Sequence, residues 1–153
     1  MATGATRQER IVVGVDGTPA SAAALRWALR EATRSDSQLE AVIAWRPVAA
    51  LGPPAGHPPA SASSSLEQRE EDAEVVLEGA LRDLPRDGVG VGRRVMRGSP
   101  HRVLVEAADG ASMLVIGGRS GKLAGKKPWS TGRQVVHDAH CPVVVVPAEG
   151  AAA

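Results

Sequence analysis

The chain has 153 residues, of which 43% are hydrophobic and 23% charged, the balance of a globular domain and not of a disordered chain. Its 18 basic and 17 acidic side chains leave a formal net charge of +1, so no overall field attracts nucleic acid or an anionic membrane. Three tryptophans are the only aromatic residues, which argues against a base-stacking surface, and a single cysteine excludes an intramolecular disulfide.

The first predicted elements are a strand, a helix and a second strand. Residues 11–16 form an apolar run that ends in a turn signal, typical of a strand buried on both faces of a parallel sheet. Thr18 and Pro19 then have the pattern of a helix start, with the threonine as cap and the proline at the first helical position. We predict that this helix continues to about Ser35 and that residues 39–45 form the second strand, which makes one βαβ unit.

Residues 46–65 differ from the rest of the chain because they contain five prolines together with many alanines, glycines and serines. Each proline removes a backbone donor and restricts the residue before it, so this stretch is predicted to be a loop. It is longer than an ordinary connection in a compact domain. Two interpretations stay open, a mobile surface loop and a lid over a pocket.

The second half of the chain continues the alternation. An amphipathic helix follows the loop, residues 91–97 predict a third strand nearer a sheet edge, and Gly98 to Pro100 turn the chain into a short helix. The second helix is predicted to bury one side, made of Leu66, Ala73, Leu77, Ala80, Leu81 and Leu84.

Two more strands are predicted at residues 112–118 and 141–147, on either side of a last helix. Thr131 and Gln134 have the spacing of a capping box, which places the start of this helix, and it is predicted to run to about Ala139. Strands and helices therefore alternate throughout, which predicts one parallel sheet with helices on both faces. The four valines of the last strand would form an exposed edge that a second copy could cover.

A binding pocket is predicted at the ends of the two most apolar strands, at residues 11–15 and 113–116, which should be central in the sheet. Ligands of such sheets bind beyond the carboxyl ends of the strands, where the winding reverses. Asp16-Gly17 and Gly117-Gly118 are therefore the expected pocket edges. Asp16 has two interpretations, a ligand contact or a cap for the turn at Thr18.

Three separated segments, IVVGVDGTPAS, GSPHRVLVEAA and LVIGGRSGKLAG...STGRQVVHDAHCPVVVVP, resemble the universal stress protein family, and the resemblance covers almost the whole chain. It implies a Rossmann-like fold of the adenine nucleotide alpha hydrolase-like kind, with a single open five-stranded parallel sheet in the order 3-2-1-4-5. We expect one domain over residues 1–153, with an ordered core at about 10–147. The resemblance also implies a homodimer joined through the last strand, at residues 142–146.

Nucleotide-binding members of this family carry Gly, two residues, Gly, nine residues, then Gly and Ser or Thr. Glycines let a backbone approach phosphate, and a helix N-terminus offers N–H groups to the anion. This chain departs from the motif. Gly117 matches the first glycine of the motif, but Ser120 then occupies the position of the second glycine. Alternatively, Gly118 and Gly121 are the first two glycines of the motif. Trp129 stands at the late glycine, and the loop is one residue short.

Several basic side chains of this segment, Arg119, Lys122, Lys126, Lys127 and Arg133, either neutralise phosphates or are solvated surface cations. By the resemblance, Asp16 and Val42 match positions at the base and ribose end of the nucleotide, although Val42 fits equally well as strand core. The candidate nucleotide-binding residues are Asp16, Gly17, Val42, Gly117, Gly118, Arg119, Gly121, Ser130 and Thr131.

Other chemistries find little support. The sequence holds no GxxxxGK[ST] phosphate loop and no nucleophile with an identifiable base, so we predict no catalytic residues. His137, His140 and Cys141 are close in sequence but are a weak match to known metal-ligand patterns, so no metal site is predicted. The first ten residues contain no apolar signal core and no apolar run is long enough to cross a bilayer, so we expect a cytoplasmic protein.

The leading hypothesis is a stress-response or signalling module that binds ATP or another adenine nucleotide. Two alternatives stay open. In the first, the protein is a dimeric stress protein that binds no nucleotide and acts through protein partners. In the second, it hydrolyses ATP slowly.

Overall fold

Strands and helices alternate in the computed structural model, which describes residues 8–47, 66–85, 88–118 and 131–148. Most of the long loop predicted at residues 46–65 lies outside these ranges. The elements are β1 Arg10–Gly14, α1 Pro19–Ser35, β2 Gln38–Trp45, α2 Leu66–Arg82, β3 Val91–Arg97, α3 Pro100–Ala107, β4 Met113–Gly117, α4 Thr131–Asp138 and β5 Val143–Val146.

All strand pairs are parallel, and the sheet order is β3-β2-β1-β4-β5. The predicted fold class and sheet order are therefore confirmed. β1 lies at the centre, where Val12 pairs with Glu40 of β2 on one side and with Leu114 of β4 on the other. The chain winds outward from β1 to β3 and then returns to β4, so the winding reverses between β1 and β4.

Two cores lie on opposite faces of the sheet because successive strand side chains point to opposite sides. Ile11 and Val13 of β1 pack in the core beneath α1 and α2, whereas Val12 packs in the core beneath α3 and α4. All three of these side chains are buried. Among the described residues, no helix combines the length and the apolar character that a bilayer crossing requires.

The predicted helix starts are confirmed for α1 and α3. Thr18 caps α1 by accepting a hydrogen bond from the Ser21 N–H, and Pro19 occupies the first turn. Ser99 caps α3 in the same way, through the Arg102 N–H. The last helix differs slightly, because Thr131 is already part of α4 instead of preceding it.

The buried side of α2 is shorter than predicted. Ala73, Leu77 and Leu81 are buried within the helix, as expected, but Leu66 is 49% exposed. The prediction for Leu66 is wrong because this residue opens the helix, before the turns that pack on the sheet. Leu84, which follows the helix, is buried as predicted.

Candidate functional site

The two predicted pocket edges lie side by side. Because β1 pairs directly with β4, the residues that follow β1 and the residues that end β4 meet at the carboxyl-end edge of the sheet, where the parallel strands end. Asp16 and Gly17 come from the first strand, and Gly117 and Gly118 from the second. This is the edge where the winding reverses, the usual position of a ligand in an open parallel sheet.

Asp16 has an exposed side chain that organises the turn into α1. Its Oδ1 atom accepts hydrogen bonds from the Thr18 N–H at 2.9 Å and from the Thr18 hydroxyl at 2.6 Å. Its own N–H donates to the Ser21 hydroxyl oxygen at 3.3 Å. The prediction that Asp16 caps the Thr18 turn is therefore confirmed. Both hydrogen bonds from Thr18 use the same carboxylate oxygen of Asp16.

Gly17 is required by its backbone conformation. Its φ of +81° lies in the left-handed region, which residues with a Cβ adopt at a cost of roughly 1–2 kcal/mol. A Cβ atom there would also lie 3.1 Å from Cγ1 of Val76, on α2. The turn between β1 and α1 therefore needs glycine for reasons that are independent of any ligand.

Gly117 is required by the packing of α1. A Cβ atom at this position would lie 2.6 Å from the carbonyl carbon of Ala20 and 2.7 Å from the nitrogen of Ser21. The first turn of α1 thus passes directly over the end of β4. Gly118 follows and extends the pairing with β5, since its N–H donates to the Val146 carbonyl oxygen at 2.7 Å.

Val42 lies inside the protein. Its side chain is fully buried in the core beneath α3 and α4, and its carbonyl oxygen accepts a hydrogen bond from the Val15 N–H at 2.8 Å. The prediction that the Val42 side chain is part of the strand core is therefore confirmed. The structure gives this side chain no surface that a ligand at the sheet edge could contact.

The start of α4 completes the described part of this edge. Thr131 is exposed, and a Cβ atom on Gly132 would lie 3.4 Å from Cδ1 of Ile116, so the first turn of α4 packs against β4 near its end. The N-terminus of a helix attracts anions. Arg119, Gly121 and Ser130 lie outside the described residues, as do Ser120 and Trp129.

The first N–H groups of α1 are bonded within their own turn. In α1, the Thr18 N–H is bonded to Asp16, the Ser21 N–H to the Thr18 hydroxyl and the Ala22 N–H to the Thr18 carbonyl. These donors are satisfied within the turn. These N–H groups at the start of α1 are therefore not available to an anion.

A polar group away from this edge was not foreseen from the sequence. Nε2 of His101 in α3 lies 2.6 Å from a carboxylate oxygen of Asp138 in α4, and Nδ1 of His137 lies 2.7 Å from the other. Hydrogen bonds from His137 and then from His101 lower the pKa of Asp138. His101 and Asp138 are 37 positions apart, so no local spacing signals their contact.

The described residues contain no group of three His, Cys, Asp or Glu side chains that could hold a metal ion. Cys141 is partly buried against the core beneath α3 and α4, and burial raises the pKa of its thiol. What the sheet edge offers is a carboxylate on one side and a helix N-terminus on the other. This arrangement can bind a ligand that carries both hydroxyl and anionic groups.

Residues 8–147 match the sequence pattern of the universal stress protein family. A universal stress protein of Mycolicibacterium smegmatis is 35% identical over 149 residues, which are 94% of this chain and 49% of the relative. Universal stress protein Rv2623 of Mycobacterium tuberculosis is 34% identical over 140 residues, 91% of this chain and 45% of the relative. The chain thus spans about half the length of the curated relatives it matches.

Solved structures share the fold. A universal stress protein in complex with cAMP superposes with a TM-score of 0.70 and 23% identity, over 92% of this chain and 98% of that one. A universal stress protein family protein from Arabidopsis thaliana with AMP bound gives a TM-score of 0.66 and 18% identity, over 93% of each chain. The sheet order expected from the resemblance, its match to these structures and the sequence pattern over residues 8–147 agree: the chain belongs to the universal stress protein family.

Proposed function

We propose that this chain binds an adenine nucleotide at the sheet edge between β1 and β4 and acts as a nucleotide-responsive stress or signalling module. The observation that carries the proposal is the direct pairing of β1 with β4, which brings Asp16 and Gly117 to the same edge. Support also comes from universal stress proteins of the same fold, whose structures contain cAMP and AMP. The ligand would be ATP or another adenine nucleotide.

The charges at this end of the sheet support one orientation of the ligand. The Asp16 carboxylate repels phosphate but accepts hydrogen bonds from hydroxyl groups, so the ribose belongs beside it. Oδ1 is already bonded twice to Thr18, which leaves Oδ2 for the ribose. The phosphates then extend toward the start of α4, near Gly118 and Thr131. By sequence, Arg119, Gly121 and Ser130 belong to this phosphate end.

The first experiment is mass spectrometry of small molecules released from the purified, denatured protein, followed by calorimetric titration with ATP, AMP and cAMP. We expect a bound adenine nucleotide. Asp16→Asn preserves an oxygen for the Thr18 turn but removes the charge, and should weaken binding about tenfold through loss of a charge-assisted bond to the ribose. Arg94→Gln, on an edge strand two positions away in the sheet from β1, is the matched control and should bind as the parent does.

A second variant tests the phosphate end. Trp129 stands where nucleotide-binding relatives have a glycine, so Trp129→Gly should strengthen binding if this alignment is correct. Unchanged affinity would contradict the alignment but not the site. Absence of nucleotide after purification, together with no heat of binding for any of the three ligands, would contradict the proposed function and favour a stress protein that acts through protein partners.

We also propose that two copies associate through β5. Among the described residues, this strand pairs with β4 alone, and Val145 is 49% exposed. An apolar edge strand of this kind readily pairs with another strand. Light scattering at micromolar concentration should give the mass of a dimer, and Val145→Lys should give a monomer. A monomeric parent protein would contradict the proposal. Such a module would work in the cytoplasm, where adenine nucleotides are available.

A further inference from the structure

The carboxyl ends of β2 and β3 carry a second group of polar side chains, away from the edge between β1 and β4. Trp45 and Arg97 are paired residues of the two strands, and the guanidinium carbon of Arg97 lies 5.8 Å from the centre of the indole ring. Arg69, on the first turns of α2, donates from Nη1 to the carbonyl oxygen of Arg46 at 3.3 Å. We refer to Trp45, Arg69 and Arg97 as the tryptophan–arginine cluster.

Two N–H groups of the cluster are buried without an acceptor. Nε1 of Trp45 and Nε of Arg69 have no hydrogen-bond partner among the described residues. Buried polar groups in proteins are nearly always paired, so two unpaired donors within one cluster are unusual. Indole and guanidinium groups only donate hydrogen bonds, so the cluster cannot satisfy itself. These two N–H groups need acceptor atoms that the three side chains do not supply.

The cluster also carries excess positive charge. Within the described parts of the chain, neither Arg69 nor Arg97 forms an ion pair with a carboxylate. Arg94 differs, because it points to the opposite face of β3 and lies 3.1 Å from Glu40. Glu67 and Glu70 belong to the same end of α2, but their side chains are exposed and weaken the positive field only through solvent.

We propose that the tryptophan–arginine cluster binds an oxyanion, a phosphate or carboxylate group, as a second ligand site of this protein. An oxyanion supplies several acceptor atoms and a negative charge, and guanidinium groups match its geometry. The site is independent of the proposed nucleotide site, since it uses the ends of β2 and β3 and residues of α2. It also explains why two arginines at this end of the sheet form no ion pair with a carboxylate of the described residues.

Inorganic phosphate and acetate are the two probes, each titrated at constant ionic strength against sodium chloride. The Trp27→Phe, Trp129→Phe double variant leaves Trp45 as the only tryptophan, and the chain contains no tyrosine, so emission excited at the tryptophan band reports on Trp45 alone. We expect a saturable change in Trp45 emission with at least one probe. Arg69→Gln and Arg97→Gln should each weaken the response about tenfold, the loss of one charge-assisted hydrogen bond.

Arg94→Gln is the matched control, since it removes a cation from the same strand but from the other face, and it should leave the response unchanged. The losses in Arg69→Gln and Arg97→Gln separate this site from the proposed nucleotide site, because neither arginine belongs to that site. A response to phosphate alone assigns the site to phosphate groups, and a response to acetate alone assigns it to carboxylates. Both responses support the general oxyanion site.

The indole N–H resonance of Trp45 gives a second measurement in the unmodified protein. Its assignment follows from its loss in Trp45→Phe, and the double variant is then not needed. We expect the resonance to shift as phosphate or acetate saturates the site. The proposal is overturned if neither probe moves this resonance in the folded protein. It is also overturned if Arg69→Gln and Arg97→Gln respond as Arg94→Gln does.

Discussion

A Cβ atom on Gly117 would lie 2.6 Å from the carbonyl carbon of Ala20, a distance that real Cβ contacts essentially never show. The atoms in the way belong to backbone, so no side-chain rotation relieves the clash. The end of β4 and the start of α1 are therefore fixed against each other at the edge where we place the nucleotide. A glycine that the family motif relates to phosphate binding also holds the fold together here.

We expect Gly117→Ala to lower the free energy of unfolding by about 1–3 kcal/mol, the usual range for forcing an added carbon into a packed region. Urea denaturation measures this change. Gly79→Ala is the matched control, because Gly79 lies in α2 and a Cβ atom there meets nothing within 4 Å. That variant should be more stable than the parent by about 0.5–1 kcal/mol. Equal stability of both variants would contradict the close packing at Gly117.

Asp16→Ala should destabilise the protein even without ligand. The variant loses the acceptor for the Thr18 N–H and the Thr18 hydroxyl, and we expect a decrease of about 1 kcal/mol in the free energy of unfolding. Asp16→Asn keeps an oxygen at that position and should unfold at nearly the same denaturant concentration as the parent. If both variants lose stability equally, the charge and not the acceptor stabilises the turn.

Arg10 connects the start of β1 with the end of α3. Its Nη1 donates to the Ala107 carbonyl oxygen at 2.9 Å and its Nη2 to that of Asp109 at 2.8 Å. Arg10→Gln cannot make both bonds, and thermal or urea unfolding should show a loss of about 1–2 kcal/mol. Arg34→Gln is the control, since Arg34 forms an exposed pair with Glu31 one helical turn away and should contribute nothing measurable. An unaffected Arg10→Gln would show that water replaces these bonds without loss.

The contact between Asp138 and the two histidines should make stability depend on pH in a defined direction. Hydrogen bonds from His137 and His101 lower the pKa of Asp138, so the folded protein favours the ionised carboxylate more than the unfolded chain does. This contribution is present above the ordinary pKa of 3.8 and is lost as the pH falls through the lowered value.

Asp138→Asn removes that contribution. We expect the parent to be the more stable protein at about pH 6 and the difference in unfolding free energy to shrink toward about pH 3. Urea unfolding at several pH values measures it. A difference that stays constant over this range would mean that the carboxylate charge has no part in joining α3 to α4.

Local signals in the sequence predicted the order of elements well because they depend on neighbouring residues. Thr18 with Pro19, and Ser99 with Pro100, gave helix starts that the structure confirms. Leu66 was misplaced because periodicity alone does not show where a helix leaves the sheet. The sheet order came from the resemblance to the universal stress protein family and not from any of these patterns.

The candidate site was harder to predict because its details depend on distant parts of the chain. The clash at Gly117 exists only because α1 crosses over β4, nearly a hundred residues further along the sequence. The sequence allowed two roles for Asp16, a ligand contact or a cap of the Thr18 turn. Only the geometry shows that its Oδ1 atom accepts the hydrogen bond from the Thr18 N–H. The contact of Arg97 with Trp45 likewise required the register of β2 with β3, and the bond from Arg69 to the Arg46 carbonyl required the position of α2.

The two outer strands of the sheet, β3 and β5, differ in their side chains. β3 exposes Arg93, Arg94 and Arg97, whereas β5 is made only of valines. In the dimer proposed above, the β5 strands are covered and both outer strands are β3, whose like charges oppose pairing with the β3 strand of another dimer. Growth by repeated edge pairing would therefore stop after one step, and a sheet of this design would not extend into a fibre.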